Sequence, residues 1–96
     1  MKSLAQALTL REKIKTTEAK AKELAPFFAK QVTRAKAGSL AAKRSLSAIF
    51  SQAVVKKLVD EVAPRHKDRK GGYTRIIKLG QRKSDGARLV IIELVK

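Results

Sequence analysis

Apolar residues recur every three or four positions over the first two-thirds of the chain, which is the spacing of helices that bury one face. The first such pattern predicts a helix with Ser3 as its N-cap and with Leu4, Ala7 and Leu8 on the buried face. The helical pattern then fades into residues 13–16, where polar and apolar residues alternate and β-branched residues are frequent. We therefore expect a short strand in this segment.

A second helix is predicted over residues 18–37, with Thr17 as its N-cap. Its buried stripe follows the three-and-four spacing of an amphipathic helix and comprises Ala21, Leu24, Phe28, Val32 and Ala35. Pro26 falls inside this pattern, so we expect either a kink about one turn earlier or a break at Ala25. Gly38 is the residue type that most often ends a helix, and it marks the expected C-terminus.

Two further helices are predicted between the glycine at position 38 and the proline at position 64. Ser39 is the expected N-cap of the third helix, which buries Leu40, Leu46, Ile49 and Phe50. Ser51 is the expected start of the fourth helix, which buries Val54, Val55, Leu58 and Val62. We expect Pro64 to end it, because proline lacks the backbone N–H that a helix interior uses.

The last third of the chain reads as a β-hairpin. Residues 73–79 and 88–95 have the composition of strands, and residues 80–86 form a polar loop between them. The last strand is nearly continuous in Leu, Val and Ile, which predicts a central position in the sheet with most of both faces covered. Together with the short strand near Ile14, these elements predict an α+β fold over residues 1–96: about four helices on a small mixed β-sheet, in a single domain.

The net charge of the chain limits the possible classes of partner more than its length does. The 96 residues contain 23 Lys and Arg against 8 Asp and Glu, which gives a formal net charge of +15, and there is no cysteine. Such a charge favours a polyanionic partner, either nucleic acid or an anionic membrane surface. No segment reaches the roughly 18–20 consecutive apolar residues of a membrane span, and the first residues do not resemble a signal peptide. We therefore expect no membrane-spanning segment and no export.

The search for catalytic, cofactor or metal-binding residues finds no candidate. The single histidine, His66, lies among basic residues and is expected on the surface, next to phosphate or solvent. The neighbouring acids Asp60 and Glu61 face different directions on a helix and do not form a catalytic pair. Gly71 and Gly72 lack the spacing of a nucleotide-binding loop. We expect no catalytic activity, no cofactor, no metal site and no small-molecule substrate.

The basic residues instead indicate a phosphate-binding surface. Residues 24–59 contain seven Lys or Arg and no acid, and residues 65–83 contain eight against the single acid Asp68. A solvated helix normally mixes the two signs, because pairs of opposite charge stabilise it. Tyr73 has two open roles: stacking on a base or packing in the core. The candidate RNA-binding residues are Lys15, Lys20, Arg34, Lys36, Lys43, Arg44, Arg65, Lys67, Arg69, Lys70, Tyr73, Arg75, Arg82 and Lys83.

These candidates are not equal in expected weight. We expect the strongest contacts from two loops that flank the hairpin, which hold Arg65, Lys67, Arg69, Lys70, Arg82 and Lys83. The turn around Gly38 comes second, with Arg34, Lys36, Lys43 and Arg44.

Several segments resemble a known family. They are residues 10–24 (LREKIKTTEAKAKEL), 63–65 (APR), 68–80 (DRKGGYTRIIKLG), 81–87 (QRKSDGA) and 92–95 (IELV). In this order and spacing they are similar to the signature of bacterial large-subunit ribosomal protein seventeen, and the resemblance covers essentially the whole chain. The GGYTRI element at residues 71–76 is its most specific part.

The resemblance implies a structural constituent of the large ribosomal subunit, located on cytoplasmic ribosomes. It implies contacts with large-subunit ribosomal RNA near the exit of the peptide tunnel, neighbouring ribosomal proteins as partners, and a monomer away from the ribosome. The family normally opens with a basic arm rich in Arg, His, Lys and Gly, which we expect this chain to lack, since a helix is predicted almost at once after Met1.

Two other classes of protein remain open at this point. An architectural nucleic-acid-binding protein outside the ribosome shares the charge but is more often a dimer on duplex DNA. A cationic membrane-surface protein needs a helix with a bulky apolar face, and the first helix is short and rich in alanine, so we expect no membrane partner.

Overall fold

The structure is a computed structural model that describes residues 1–68 and 72–95. The fourth helical segment, α4, continues through one π-helical turn into α5. In chain order the elements are α1 (Lys2–Arg11), β1 (Lys13–Thr17), α2 (Glu18–Ala37), α3 (Leu40–Ile49), α4 (Gln52–Lys57), the π turn (Leu58–Val62), α5 (Ala63–Arg65), β2 (Thr74–Gln81) and β3 (Arg88–Leu94). The α+β class is therefore confirmed.

The sheet has the order β1-β3-β2, and both strand pairs are antiparallel. The central position of β3 is confirmed, whereas the expectation of a mixed sheet is wrong. On the face turned toward the helices, Val90, Ile92 and Leu94 are buried. The residues between them are only half-buried, so the expectation that most of both faces is covered holds for one face only. The helices that contact the sheet are α1 and α2.

α2 is the central helix of the core, and its bounds are those predicted from the sequence. The Thr17 hydroxyl accepts a hydrogen bond from the Lys20 N–H at 3.4 Å, and Gly38 ends the helix with a φ of 66°. All five residues of the predicted stripe are buried. Of the two alternatives expected at Pro26, the break at Ala25 is wrong, because the helix continues through Pro26, and the kink near Lys22 stays a prediction. Pro26 is exposed, so the carbonyl that it leaves without a partner can be hydrated.

The start of α1 and the burial of one residue in α3 differ from the predictions. α1 begins at Lys2 with Met1 as its N-cap, so Ser3 lies inside the helix. Its buried residues are Ala5, Leu8 and Thr9, and the Thr9 hydroxyl donates to the Ala5 carbonyl at 2.8 Å, which allows a polar residue to be buried. The expected caps at Ser39 and Ser51 are both present as N-cap residues. In α3 the predicted burial of Leu40 is wrong, since this residue of the first helical turn is 66% exposed.

The fourth helix does not end at Pro64. Val54, Leu58 and Val62 are buried as predicted, but the chain remains helical to Arg65. The Ala63 N–H bonds to the Leu58 carbonyl five residues earlier, which is the π-helical pattern. A proline ring in a regular α-helix clashes with the carbonyl four residues before it, and the wider π turn relieves that clash. The helix therefore passes the proline instead of stopping at it.

The hairpin loop is shorter than predicted. β2 extends to Gln81, and a bulge between Lys78 and Gly80 shifts its register against β3. Gly80 has a φ of 114°, which the bulge requires and which residues with a side chain rarely adopt. The connection closes through a hydrogen bond from the Arg82 N–H to the Ala87 carbonyl at 2.7 Å. Among the described residues, no helix is both long and apolar enough to cross a bilayer.

Candidate nucleic-acid interface

In the part of the chain that the structure describes, the ion pairs involve four acidic residues. Glu12, Glu18, Asp85 and Glu93 form ion pairs with basic side chains, and these pairs partly neutralise the cations involved. The cations are Lys22, Lys57, Arg65, Arg75 and Arg82. Since Lys and Arg outnumber the acids by 23 to 8, most of the positive charge remains on the surface.

A first basic concavity lies at the C-terminal end of α2, and we name it the α2-end cleft. Lys36, Lys43 and Lys67 line a space of about 350 Å³. The remaining lining residues are Ala35, Gly38, Val59, Ala63 and Pro64, so none of the described residues that form the wall is acidic.

Local backbone features bring the three lysines of this cleft together. Gly38 ends α2 and Ser39 caps α3, with the Ser39 hydroxyl accepting from the Ala42 N–H at 3.1 Å. This tight turn places Lys36 and Lys43 on the same concavity. Lys67 joins them because the last helix continues past Pro64, so the two groups of candidates meet here.

A second basic concavity lies where β1 passes directly into α2, and we name it the α2-start cleft. Lys15, Lys20 and Arg82 line a space of about 460 Å³, together with Leu4, Thr16, Thr17 and Leu89. The Arg82 guanidinium also pairs with Asp85, with Nε–Oδ1 and Nη2–Oδ2 distances of 3.0 and 2.7 Å. About half of the Arg82 side chain, 47%, stays exposed and can still reach a ligand.

The other candidates are distributed over the surface. Arg34, Arg44 and Lys83 are exposed, and the Arg34 guanidinium donates to the Gln31 side-chain carbonyl at 3.3 Å. Arg75 is 67% exposed and pairs with Glu93, its cross-strand neighbour. Arg69 and Lys70 lie outside the described residues. Their roles in RNA binding stay predictions.

Arg65 is tied into the fold. Both of its terminal nitrogens donate to the Glu12 carboxylate, which also pairs with Lys57 at 3.3 Å. The hydrogen bond from Arg65 is the main cause that lowers the pKa of Glu12 from 4.5 to about 2, although burial opposes it. Arg65 therefore joins the end of α1 to the end of α5, and it shares the one negative charge of Glu12 with Lys57.

The histidine and the tyrosine are buried. The surface position expected for His66 is wrong: it is 2% exposed, with Nδ1 3.0 Å from the Val62 carbonyl oxygen and Nε2 against the Val95 carbonyl oxygen. Tyr73 is 3% exposed and meets the His66 ring edge-to-face at 5.4 Å. Of its two expected roles, the structure supports packing, since a buried ring cannot stack on a base.

Tyr73 helps to hold Lys36 at its cleft. The Lys36 ammonium donates to the Tyr73 hydroxyl at 3.2 Å and lies 5.3 Å from the ring centroid. Burial raises the pKa of Tyr73, but hydrogen bonds with Thr33 and Lys36 and the charge of Lys36 outweigh it, so the pKa is lower than usual. The core thus orients one of the cations of the α2-end cleft.

The sequence contains a pattern that indicates the burial of His66. Val54, Leu58 and Val62 recur every four residues along the buried face, and the next position in that series is His66. The expectation that Pro64 ends the helix removed this position from the stripe. Within the described part of the chain, no group of three or more His, Asp or Glu could hold a metal ion.

Comparison with known proteins decides the family. The model of the family described as ribosomal protein L17 matches residues 1–95. The chain belongs to this family. It is 58% identical over 84 residues to the large ribosomal subunit protein bL17 of Thermoanaerobacter sp. (strain X514), which covers 86% of this chain and 75% of that protein. The bL17 protein of Desulfitobacterium hafniense (strain DSM 10664 / DCB-2) is 48% identical over 96 residues, covering 99% and 86% of the two chains. The family resemblance drawn from residues 10–95 is thereby confirmed.

Proposed function

We propose that this chain is a structural constituent of the large ribosomal subunit that binds large-subunit ribosomal RNA near the exit of the peptide tunnel. Membership of the ribosomal protein L17 family supports the ribosomal assignment. The observation that carries RNA binding is the pair of clefts, each lined by three basic residues, with no acid among the described residues of their walls. The position near the tunnel exit rests on the family alone. The site of action is the ribosome in the cytoplasm.

The chemistry of the two clefts fits backbone phosphate. Five of their six cations are lysines, whose ammonium groups act as point charges, and Arg82 adds a planar donor group. Contacts of this kind release condensed counterions from RNA, so they fix position without reading the base sequence. Sequence selection then falls to the shape of the folded RNA.

We assign no catalytic role to the chain. Its single histidine is buried, with both ring nitrogens against backbone carbonyl oxygens. A general base must be within hydrogen-bond reach of a substrate proton, and His66 is not accessible to one. The expected partners are ribosomal RNA and neighbouring large-subunit proteins, and the free chain is expected to be a monomer.

Sedimentation with ribosomal subunits tests the ribosomal assignment. The tagged chain, expressed in a bacterium, is expected to migrate with the large subunit in a sucrose gradient. A basic protein of similar size without ribosomal relatives serves as the control for charge-driven adhesion. A chain that stays at the top of the gradient, or that follows DNA, contradicts the assignment and favours an architectural protein outside the ribosome.

The salt dependence of RNA affinity tests the binding mode. If about 6–10 phosphates are contacted, the affinity for deproteinised large-subunit ribosomal RNA should fall roughly 10³–10⁵-fold between 50 and 200 mM salt. Filter binding over this range measures the slope. An affinity that does not change with salt would mean that the basic surface is not the binding surface.

A further inference from the structure

The two clefts lie at opposite ends of α2. Lys20 lines the α2-start cleft and Lys36 lines the α2-end cleft. The two residues are 16 positions apart in one helix, Glu18–Ala37. An α-helix rises about 1.5 Å and rotates about 100° per residue, so the two residues are roughly 24 Å apart along the helix axis and about 160° apart around it.

The two lysines therefore lie on opposite flanks of the helix. The buried stripe of α2 runs between them, from Ala21 to Ala35. Each flank is completed by different elements: β1 and the hairpin loop at the start of the helix, and α3 and the segment after α5 at its end. A straight RNA segment that follows one flank of α2 cannot reach the cleft on the other flank.

We propose that the two clefts hold the backbone phosphates of two different RNA segments, so that one molecule of this protein joins them. This inference rests on the proposed function, RNA binding, and adds to it the number and placement of the RNA partners. Each cleft contributes three basic side chains at its wall and therefore contacts about two or three phosphates. Joining two segments raises the effective concentration of each for the other without any new contact between them.

The charges around the clefts agree with separate anion sites. Two further concavities formed by the described residues contain acids: Glu12 and Glu93 in one, and Asp68 in the other, which adjoins the α2-end cleft through Pro64 and Lys67. Of the acids next to the α2-start cleft in sequence or contact, Asp85 pairs with Arg82 and Glu18 pairs with Lys22. Phosphate is therefore expected at the two clefts in preference to the two mixed concavities.

Three double variants with the same loss of charge provide the test. Lys15→Gln with Lys20→Gln removes two cations from the α2-start cleft, and Lys43→Gln with Lys67→Gln removes two from the α2-end cleft. Lys30→Gln with Lys56→Gln removes two exposed lysines outside both clefts. Lys36 and Arg82 are left unchanged, because they also contact Tyr73 and Asp85. Circular dichroism and thermal melting check that each variant is folded.

The probe is an RNA duplex of about ten base pairs, roughly one helical turn, prepared with either a fluorescent donor or an acceptor. Wild-type protein and the control variant are expected to bind two duplexes per chain and to produce energy transfer between donor and acceptor duplexes. Each cleft variant is expected to bind one duplex and to lose the energy transfer. Each loss should lower the salt slope by about 1 for every phosphate contact removed.

The possible results separate the two proposals. A wild-type complex of one duplex per chain, or a single binding event that both cleft variants weaken equally, overturns the two-segment inference but leaves RNA binding intact. Energy transfer that the Lys30/Lys56 control also abolishes overturns the assignment to the clefts. No binding of RNA at all contradicts the proposed function itself.

Discussion

Glu12 contacts several elements of the fold through both its backbone and its side chain. It adopts the left-handed conformation, with a φ of 66°, at the end of α1. Its N–H donates to the Leu8 carbonyl at 2.8 Å, and its carbonyl accepts from the Leu94 N–H at 2.9 Å. Its carboxylate binds Arg65 and Lys57. These contacts connect α1, the last strand and the last helix at one point, which offsets the cost of about 1–2 kcal/mol for the conformation.

Replacing Glu12 with Gln should lower the free energy of unfolding at pH 7 by about 1 kcal/mol. The pKa shift of Glu12, from 4.5 to about 2, limits the contribution of its ion pairs to stability to about 3 kcal/mol at most. The actual contribution is smaller, because the side chain is one-third exposed and solvent screens the charges. Chemical denaturation of both proteins at pH 7 measures the difference. The exposed Glu23 provides the control: Glu23→Gln should change stability much less.

The same pair predicts a pH dependence. The folded-state pKa of Glu12 is depressed, so its contribution is fully present above the unfolded value of 4.5 and is lost as the pH falls through about 2. Denaturation midpoints measured between pH 5 and pH 2 should therefore decline more steeply in the wild type than in the Glu12→Gln variant. Parallel declines would show that other carboxylates, not this one, dominate the acid sensitivity.

The buried histidine is the second residue on which several elements depend. His66→Phe keeps a ring in contact with Tyr73 but removes the side-chain partner of the Val95 carbonyl, whereas the Val62 carbonyl keeps its hydrogen bond from the backbone N–H of residue 66. An unpaired buried carbonyl costs about 1–3 kcal/mol, so we expect a loss of stability of that size. Thermal denaturation measures it. His66→Gln retains one donor and should lose less, and an order of stability with Phe above Gln would contradict this account.

At the scale of the elements, the turn between α2 and α3 depends on one glycine. Gly38 has a φ of 66°, and an added Cβ would meet nothing closer than the Lys36 carbonyl oxygen at 4.0 Å. The cost of Gly38→Ala is therefore conformational, about 1 kcal/mol, and not steric. Gly38→Asn should lose less, because asparagine tolerates this conformation. Equal losses for the two variants, measured by chemical denaturation, would mean that conformation is not the cause.

The elements differ in how far the sequence determines them. The bounds of α2 follow from local signals, a capping threonine at its start and a glycine at its end, and the structure has the same bounds. The continuation of the last helix past Pro64 depends on a π turn that no local propensity encodes. The pairing of Arg65 with Glu12 joins residues 53 positions apart. The basic neighbours of Arg65 in the sequence indicate a surface cation, whereas its pairing with Glu12 follows only from the tertiary structure.

The residues of the two clefts were likewise only partly predictable from the sequence. The lysines at 36 and 43 were grouped from the sequence because a short turn separates them, whereas Lys67 was assigned to another loop. Packing of the last helix against α2 and α3 brings it to the same wall. Likewise, Lys15 and Arg82 are distant in sequence and meet only because β1 and β2 flank β3 in one sheet. Residue types predicted the chemistry, and topology determined which residues converge.

At the scale of the whole molecule, repulsion among the excess positive charges opposes the stability that the apolar core supplies. One cluster of 17 buried apolar residues draws on all of the longer helices and on β3. Burial of this kind supplies most of the stability of a domain. Cations without acidic partners repel one another and destabilise the compact state. We therefore expect the chain to fold cooperatively without RNA, and its melting temperature to rise as salt screens the repulsion.

Thermal melting in 50 mM and 500 mM sodium chloride tests this expectation, because the screening length shrinks from over 10 Å toward about 4 Å across that range. Salt also weakens the ion pairs, five of which lie among the described residues, but with 23 cations against 8 acids the repulsive pairs outnumber the attractive ones. The Lys30→Gln and Lys56→Gln variant, with less repulsion, should show a smaller increase than the wild type. A melting temperature that falls with salt would mean that the ion pairs outweigh the repulsion. A chain that melts cooperatively only when RNA is added would show that the core alone is insufficient and that the partner completes the fold.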